Sequence, residues 1–291
     1  MRHDGVRWSQ CATAVPREDA VMPKETAVYT HGHQESVLRS HRSRTVGNSA
    51  AYLRDRLRPG QAVLDIGCGP GTITADLAEL VGPDGRVVAA DASAEVLETA
   101  AAFVAGRGVS NVVFEVADVH RLPYADGEFD VVHAHQVLQH VADPVGALRE
   151  LRRVTAEGGV VAARDVDYAT MVWYPEAPEL VRWLELYRRI ARDNGGEPDA
   201  GRRLLSWARA AGFTDVAATS STWTYATPGQ RAWWGGMWAD RITDSAIART
   251  AVAEGYADEA GLARMAAGWR EWAAAGDGWF SMVHGEVLAR R

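Results

Sequence analysis

Five short apolar runs, QAVLDIG, GRVVAAD, NVVFEVAD, FDVVHAH and VVAARDVD, fall between residues 61 and 167, interspersed with segments of helical period. Runs of this length bounded by turn residues read as strands. TITADLAELV places Ile73, Leu77 and Leu80 on one face, and the segment after Ser93 carries Val96, Ala100 and Val104 on one stripe. Ser93 and Asp143 stand at N-cap positions, with Pro144 at the first position of the helix that Asp143 opens. Strands joined through helices need crossovers, so they run parallel and carry helices on both faces. The class dictated is α/β, with a Rossmann-like, mostly parallel sheet.

Two regions flank this repeat. Residues 35–58 read as one amphipathic helix, with Val37, Leu38, Val46, Leu53 and Leu57 as its apolar positions. Beyond the fifth strand, PELVRWLELYRRIARDNGG reads as a helix ending at Asn194-Gly195. DAGRRLLSWARAAG reads as another, capped by Asp199 and closed by Gly212. FTDVAATSSTWTYAT and WFSMVHGEVLARR read as two further strands around a helical insert. The chain has 11 Trp, ten of them after residue 170, and Trp233, Trp234 and Trp238 lie within six residues. Most of these rings are expected to pack a core, while the 233–238 cluster can wall a planar substrate. The organisation expected is a leader over 1–27, a main domain over 28–225 and 277–291 with an N-terminal lid helix, and a Trp-rich helical cap over 226–276.

The turn after the first strand reads VLDIGCGPGTIT. A P-loop would close on Gly-Lys-Ser/Thr, and a dinucleotide fingerprint would put a third glycine where Thr72 stands. The pattern is instead Asp65-x-Gly67-x-Gly69-x-Gly71, bare backbone beside a carboxylate. Three consecutive strands end on acids, Asp65, Asp91 and Asp118. In an open parallel sheet the ligand sits beyond those ends, and an acidic rim repels phosphate. A ligand with an ammonium, a sulfonium, a ribose diol and no phosphate fits, which describes S-adenosylmethionine. Asp91 can accept from both ribose hydroxyls, and Asp118 from the adenine amino group between Ala117 and Val119.

Together with VVAADAS, VADVHRLPYADGEFDVVHAHQVLQHVADP and RRVTAEGGVVAARD, this loop resembles the class I S-adenosylmethionine-dependent methyltransferases, above all the ubiquinone/menaquinone-biosynthesis type. The resemblance spans roughly residues 30–225 and the last strand, and implies the strand order 3-2-1-4-5-7-6. It implies that Gly67, Cys68, Gly69 and Gly71 surround the cofactor, that Asp91 and Ala92 hold its ribose, and that Asp118 and Val119 hold its adenine. His135 and Gln136 would lie at its methionine end. Val96 departs from the Met that many relatives carry. In similar enzymes the leading segment closes over the cofactor, making Tyr29 and His33 candidates for its methionine moiety and Arg44 for its carboxylate. His135 and Asp167 are the candidates for a general base, with Tyr168, Trp233, Trp234 and Trp238 as substrate contacts.

The implied reaction is methyl transfer to a small, hydrophobic or aromatic metabolite, at oxygen or carbon, in natural-product biosynthesis, with S-adenosylhomocysteine as product. Net charge of −7 disfavours a nucleic-acid surface. The fourth strand also ends in HAHQVLQH, without the Asp/Asn-Pro-Pro-aromatic motif that stacks a flipped base. A non-transferring cyclase on the same scaffold is the competing class. His31-x-His33 and His133-x-His135 lack completing ligands, so no metal is expected. Cys11 and Cys68 alone indicate a reducing, cytoplasmic setting without disulfides. No apolar run reaches the ~20 residues of a membrane span, and the first twenty residues lack a signal-peptide core. Monomer and homodimer both stay open.

Overall fold

The computed structural model describes Thr30 and residues 40–291. Among these residues seven strands form one sheet in the order β3-β2-β1-β4-β5-β7-β6. The strands are β1 (Ala62–Ile66), β2 (Arg86–Asp91), β3 (Val112–Val116), β4 (Phe129–His135), β5 (Thr155–Tyr174), β6 (Asp215–Tyr225) and β7 (Trp279–Arg290). The first five pair in parallel, and β7 enters antiparallel between β5 and β6. This is the Rossmann-like sheet and strand order that the methyltransferase resemblance implies.

The leading segment differs from the single helix expected over 35–58. A four-residue helix α1 (Val46–Ser49) is followed by a 3-10 turn, Ala51–Arg56. Thr45 starts the helix anew, because its side chain and that of Asn48 exchange cap hydrogen bonds with each other's backbone. Val46, Leu53 and Leu57 still reach the core beside Val63 and Val131. Val37 and Leu38 lie outside the described residues.

Helices α2 (Thr72–Val81) and α3 (Ala94–Gly106) follow β1 and β2, and α4 (Pro144–Val154) connects β4 to β5. Ser93 Oγ accepts from the Val96 amide and Asp143 from the Gly146 amide, as their cap positions require. Asp199 caps nothing. Its carboxylate instead accepts from the Ala169 amide (2.9 Å), Arg188 (2.6 Å) and Arg192 (2.7 Å).

β5 runs on to Tyr174, past its expected end at Asp167. The register breaks after Asp167 and resumes at Val172–Tyr174 against Ser281–Trp279. Thr170 bridges the break: its hydroxyl donates to the Asp167 carbonyl and accepts from the Val283 amide. This extension gives the cap a floor of Tyr168, Met171, Phe280 and Met282. On it pack α5 (Pro178–Asp193) and the three helices between β6 and β7, α7 (Pro228–Thr243), α8 (Ala246–Ala253) and α9 (Glu259–Ala274), while α6 (Leu204–Ala210) lies against the main sheet. The helical layer therefore draws on α5 as well as on the segment after β6.

Fully buried indoles join these helices. Trp183 of α5 meets Trp238 of α7 edge-on at 4.4 Å and Trp269 of α9 at 4.8 Å. Trp269 also touches Trp272 and Phe280, both at 5.7 Å. Trp269→Ala is expected to lower unfolding stability by about 3–5 kcal/mol in urea titrations. A loss under about 1 kcal/mol would show that these rings do not unite the cap.

Candidate active site

The loop after β1 is held by main-chain bonds. The Gly67 and Cys68 amides donate to the Ala90 carbonyl at 2.7 and 3.1 Å, which hangs the turn on the end of β2. Gly67, Gly69 and Gly71 have φ of +67°, +56° and +79°, the left-handed region that side chains disfavour. A Cβ on Gly67 would stand 2.4 Å from Val137 Cγ2, and one on Gly71 would stand 3.0 Å from Ala100 Cβ. At Gly69 the nearest atom would be His41 Nδ1 at 4.0 Å, so its backbone faces open space.

Asp65 sits beneath this loop. It is buried, accepts from Thr74 Oγ1 (2.6 Å), and shares a 2.8 Å hydrogen bond with His133 Nδ1. Asp91 accepts from the Gly69 amide (3.2 Å) and the Ser93 amide (3.1 Å), tying the loop to the start of α3. Asp118 is exposed, and the His120 amide and ring hold its carboxyl below the ordinary carboxylate range.

A cavity of about 630 Å³ opens over the loop. Asp65, Gly67, Cys68, Gly69, Asp91, Ala92, Asp118, Val119, His135, Gln136 and Arg44 all border it, which brings together most of the expected cofactor contacts. Gly71 stands behind it, packed against α3. Tyr29 and His33 lie outside the described residues. The volume suits a nucleoside-sized ligand, and the bare Gly69 backbone beside the Asp91 carboxylate suits a ribose with its hydroxyls as donors.

His135 ends β4 at the cavity wall. It is buried, and neither ring nitrogen has a hydrogen-bond partner among the described residues. Burial, with the Arg44 and Arg164 guanidiniums nearby, pushes its pKa well below the ordinary imidazole value, so the ring is neutral. The next residue, Gln136, has φ +55°, an uncommon conformation for a side chain of its length. Its Oε1 accepts from Arg44 (2.5 Å), its amide nitrogen lies 3.2 Å from His284 Nε2, and its backbone amide donates to the Arg164 carbonyl (2.7 Å).

Asp167 is not brought to the cavity. Its carboxylate grips Arg202 through Nε (2.5 Å) and Nη2 (2.8 Å) and also accepts the Arg202 amide. The reason is strand parity: Arg164, Val166 and Tyr168 face the cap side, so Asp165 and Asp167 face away. A carboxylate in a bidentate pair on the opposite face cannot meet an acceptor over the loop.

A second, narrower space of about 30 Å³ shares His41, Arg44 and Gln136 with the first. Tyr168, Trp233, Trp234 and Trp238 border it, and so do Trp223, Tyr225 and Arg241, which pattern reading of the sequence passed over. Trp223 and Tyr225 alternate along β6 on its inward face, the one signal that could have found them. Trp223 is clamped from several sides. Its indole N–H donates to the Asn48 carbonyl (2.8 Å), Arg164 lies 4.9 Å from its ring centre, and His284 lies 4.4 Å away. Arg164 in turn pairs with buried Glu286 at 3.2 Å. No group of three or more His, Cys, Asp or Glu arranged to hold a metal occurs among the described residues.

Comparison with known proteins agrees with this geometry. A methyltransferase-domain family profile matches residues 57–212, more than half of the chain. An uncharacterized methyltransferase of Schizosaccharomyces pombe is 30% identical over 92% of this chain and 98% of its own length. The demethylmenaquinone methyltransferase of Lactococcus lactis is 32% identical over 54% of this chain and 67% of its own. Among solved structures, Haemonchus contortus phosphoethanolamine N-methyltransferase 2, in complex with S-adenosylhomocysteine, superposes with a TM-score of 0.52 at 18% identity, covering 83% of this chain and 52% of that one. The YcgJ protein of Bacillus subtilis gives 0.51 at 20%, covering 83% and 97%. The sheet order, the glycine loop and these matches define a methyltransferase. The chain belongs to the class I S-adenosylmethionine-dependent family. Among the described residues no helix is long and apolar enough to cross a membrane.

Asp165, on the opposite face of β5 from Arg164, has a titration of its own. It is fully buried, accepts from the Gln139 amide (3.1 Å), and its Oδ2 has no partner among the described residues. Burial pushes its pKa up to about 7. In the unfolded chain the same carboxyl releases its proton near pH ~3.9. The contribution of this one carboxyl to stability is therefore fullest below about pH 4, is lost as pH rises toward about 7, and stays lost above that. Asp165→Asn is expected to match the wild type near pH 4 and to exceed it at pH 8, by up to about 4 kcal/mol in denaturant titrations. Equal stabilities at pH 8 would contradict a buried, largely unpaired carboxyl.

Proposed function

We propose that this chain transfers the methyl group of S-adenosylmethionine to oxygen or carbon of a small hydrophobic or aromatic metabolite, in natural-product biosynthesis. The observation that supports it most is that Gln136 and Arg44 border both the loop cavity and the space walled by aromatic rings. Bound S-adenosylmethionine supplies an electrophilic methyl group: the bond to sulfur breaks as the bond to the acceptor forms, and a neutral thioether leaves.

The protein's part is placement. Asp91 accepts from the ribose hydroxyls and Asp118 from the adenine amino group, with Ala92 and Val119 against the nucleoside. Arg44 meets the methionine carboxylate. Cys68 lines the loop as a small residue; its thiol is pushed up by burial and by Asp65, so it stays protonated and is no nucleophile. Holding acceptor, methyl carbon and sulfur in line and dry can supply about 7 kcal/mol or more of barrier reduction. His135 is the group available to take an acceptor proton. With its pKa well below the ordinary value it suits an acceptor that ionises readily or arrives as an anion.

The test is incubation with methyl-labelled S-adenosylmethionine and fractionated hydrophobic metabolites, reading S-adenosylhomocysteine and a labelled product together. Both are expected, and Asp91→Ala is expected to weaken S-adenosylhomocysteine binding at least tenfold with the fold intact by circular dichroism. Tight cofactor binding with no labelled product from any fraction would favour a non-transferring enzyme such as a cyclase.

A further inference from the structure

Gln136 reaches the cavity wall by leaving the strand. Along β4, His133 and His135 share one face, their rings 6.4 Å apart and 3° from parallel, while Ala134 packs in the core on the other. Continued alternation would send Gln136 to the face of Ala134. Its φ of +55° breaks the alternation, and the side chain returns to the face of His135, where it reaches Arg44 and His284. A side chain of this length is disfavoured in that conformation, and strain of this kind clusters at functional sites. Here the 2.7 Å bond from the Gln136 backbone amide to the Arg164 carbonyl holds the turn.

The amide at the end of the side chain fits only one way round. A guanidinium only donates, so the amide oxygen faces Arg44 Nη2, at 2.5 Å. The NH2 then faces His284 Nε2 at 3.2 Å and needs an acceptor there. Burial, with Arg164 and Arg44 nearby, holds the His284 pKa well below the ordinary imidazole value. The ring is therefore neutral and, with its proton on Nδ1, accepts through Nε2. His284 is itself held in place, fully buried and 4.4 Å from the Trp223 ring. It borders neither space. Gln136 thus ties a half-buried guanidinium at the cavity wall to a fixed ring on β7.

We propose that Gln136 is a positioning residue whose amide, anchored on His284, aims Arg44 at the carboxylate of the bound methyl donor. This deepens the reading that Arg44 meets that carboxylate and rests on it. A guanidinium already held loses less side-chain freedom when the ligand arrives.

Calorimetry on the whole protein tests the assignment with S-adenosylhomocysteine and 5′-methylthioadenosine. The two share a nucleoside and a thioether, and only the first carries the amino-acid end. Gln136→Met, which keeps the length without the hydrogen bonds, is expected to weaken S-adenosylhomocysteine at least fivefold and 5′-methylthioadenosine less than twofold. Gln136→Asn suits the left-handed backbone but is too short to span both partners, and the same selective loss is expected. In an Arg44→Met background, Gln136→Met is expected to add less than twofold. Equal losses for the two ligands would mark a general disturbance of the pocket and overturn the assignment. So would losses that multiply in the double variant, or an unchanged affinity in Gln136→Met. Arg44→Met with unchanged S-adenosylhomocysteine affinity would instead overturn the carboxylate contact beneath it, and folded wild-type protein that binds neither ligand would overturn the methyl-donor reading.

Discussion

A buried carboxylate under a turn of naked main chain is the contact on which the rest of the site depends. Asp65, fixed by Thr74 on α2 and by His133 on β4, joins the first strand to the helix that follows it and to the neighbouring strand at the point where the chain must reverse. With that joint rigid, the three glycines adopt left-handed φ without a side chain in the way, and Gly69 presents its backbone to the cavity. Asp91 then closes the turn from the other side through the Gly69 amide. Two acids that sequence reading assigned to the ligand thus also build the loop that holds it. Asp65 does so while almost wholly buried, whereas Asp91, half-buried, borders the cavity.

The same sheet face carries a row of polar side chains across five strands: Asp65, His133 and His135, Arg164, His284 and Glu286, then Thr219 and Ser221. Burying an ion pair such as Arg164–Glu286 costs several kcal/mol of desolvation, which its hydrogen bonds to Ser221 and Thr219 help offset. Its position explains its value. Arg164 backs Trp223, and Trp223 separates the neutral His135 from the aromatic cap. The row therefore connects the glycine loop at one end with the aromatic cap at the other through adjacent strands.

Much of this was legible in the sequence where the pattern had contrast. Strand positions and the caps at Ser93 and Asp143 follow from short runs and their punctuation, whereas the three acids are not in register: Asp65 pairs with Ala89, Asp91 with Val116, and Asp118 lies beyond the end of β3. Contrast fails on β5. Residues 161–168 are buried on both faces, so hydrophobicity does not reveal parity, and Asp167 reads as facing the cap side of the sheet when it is Tyr168 that does, at the narrower space. Trp223 and Tyr225 hide for the opposite reason: β6 is an edge strand rich in Thr and Ser that reads as surface, and only the fold turns one of its faces to the aromatic cap. The helix expected over 35–58 breaks at Thr45 because a local cap outcompetes amphipathic periodicity there.

An acidic rim over a bare loop should distinguish a sulfonium nucleoside from a phosphate-bearing one, and parallel calorimetric titrations of the unaltered protein with S-adenosylhomocysteine and with NAD measure that distinction. Saturable one-to-one heat with the first and none with the second is the result this account predicts. Heat with NAD, or none with S-adenosylhomocysteine from folded protein, would contradict it.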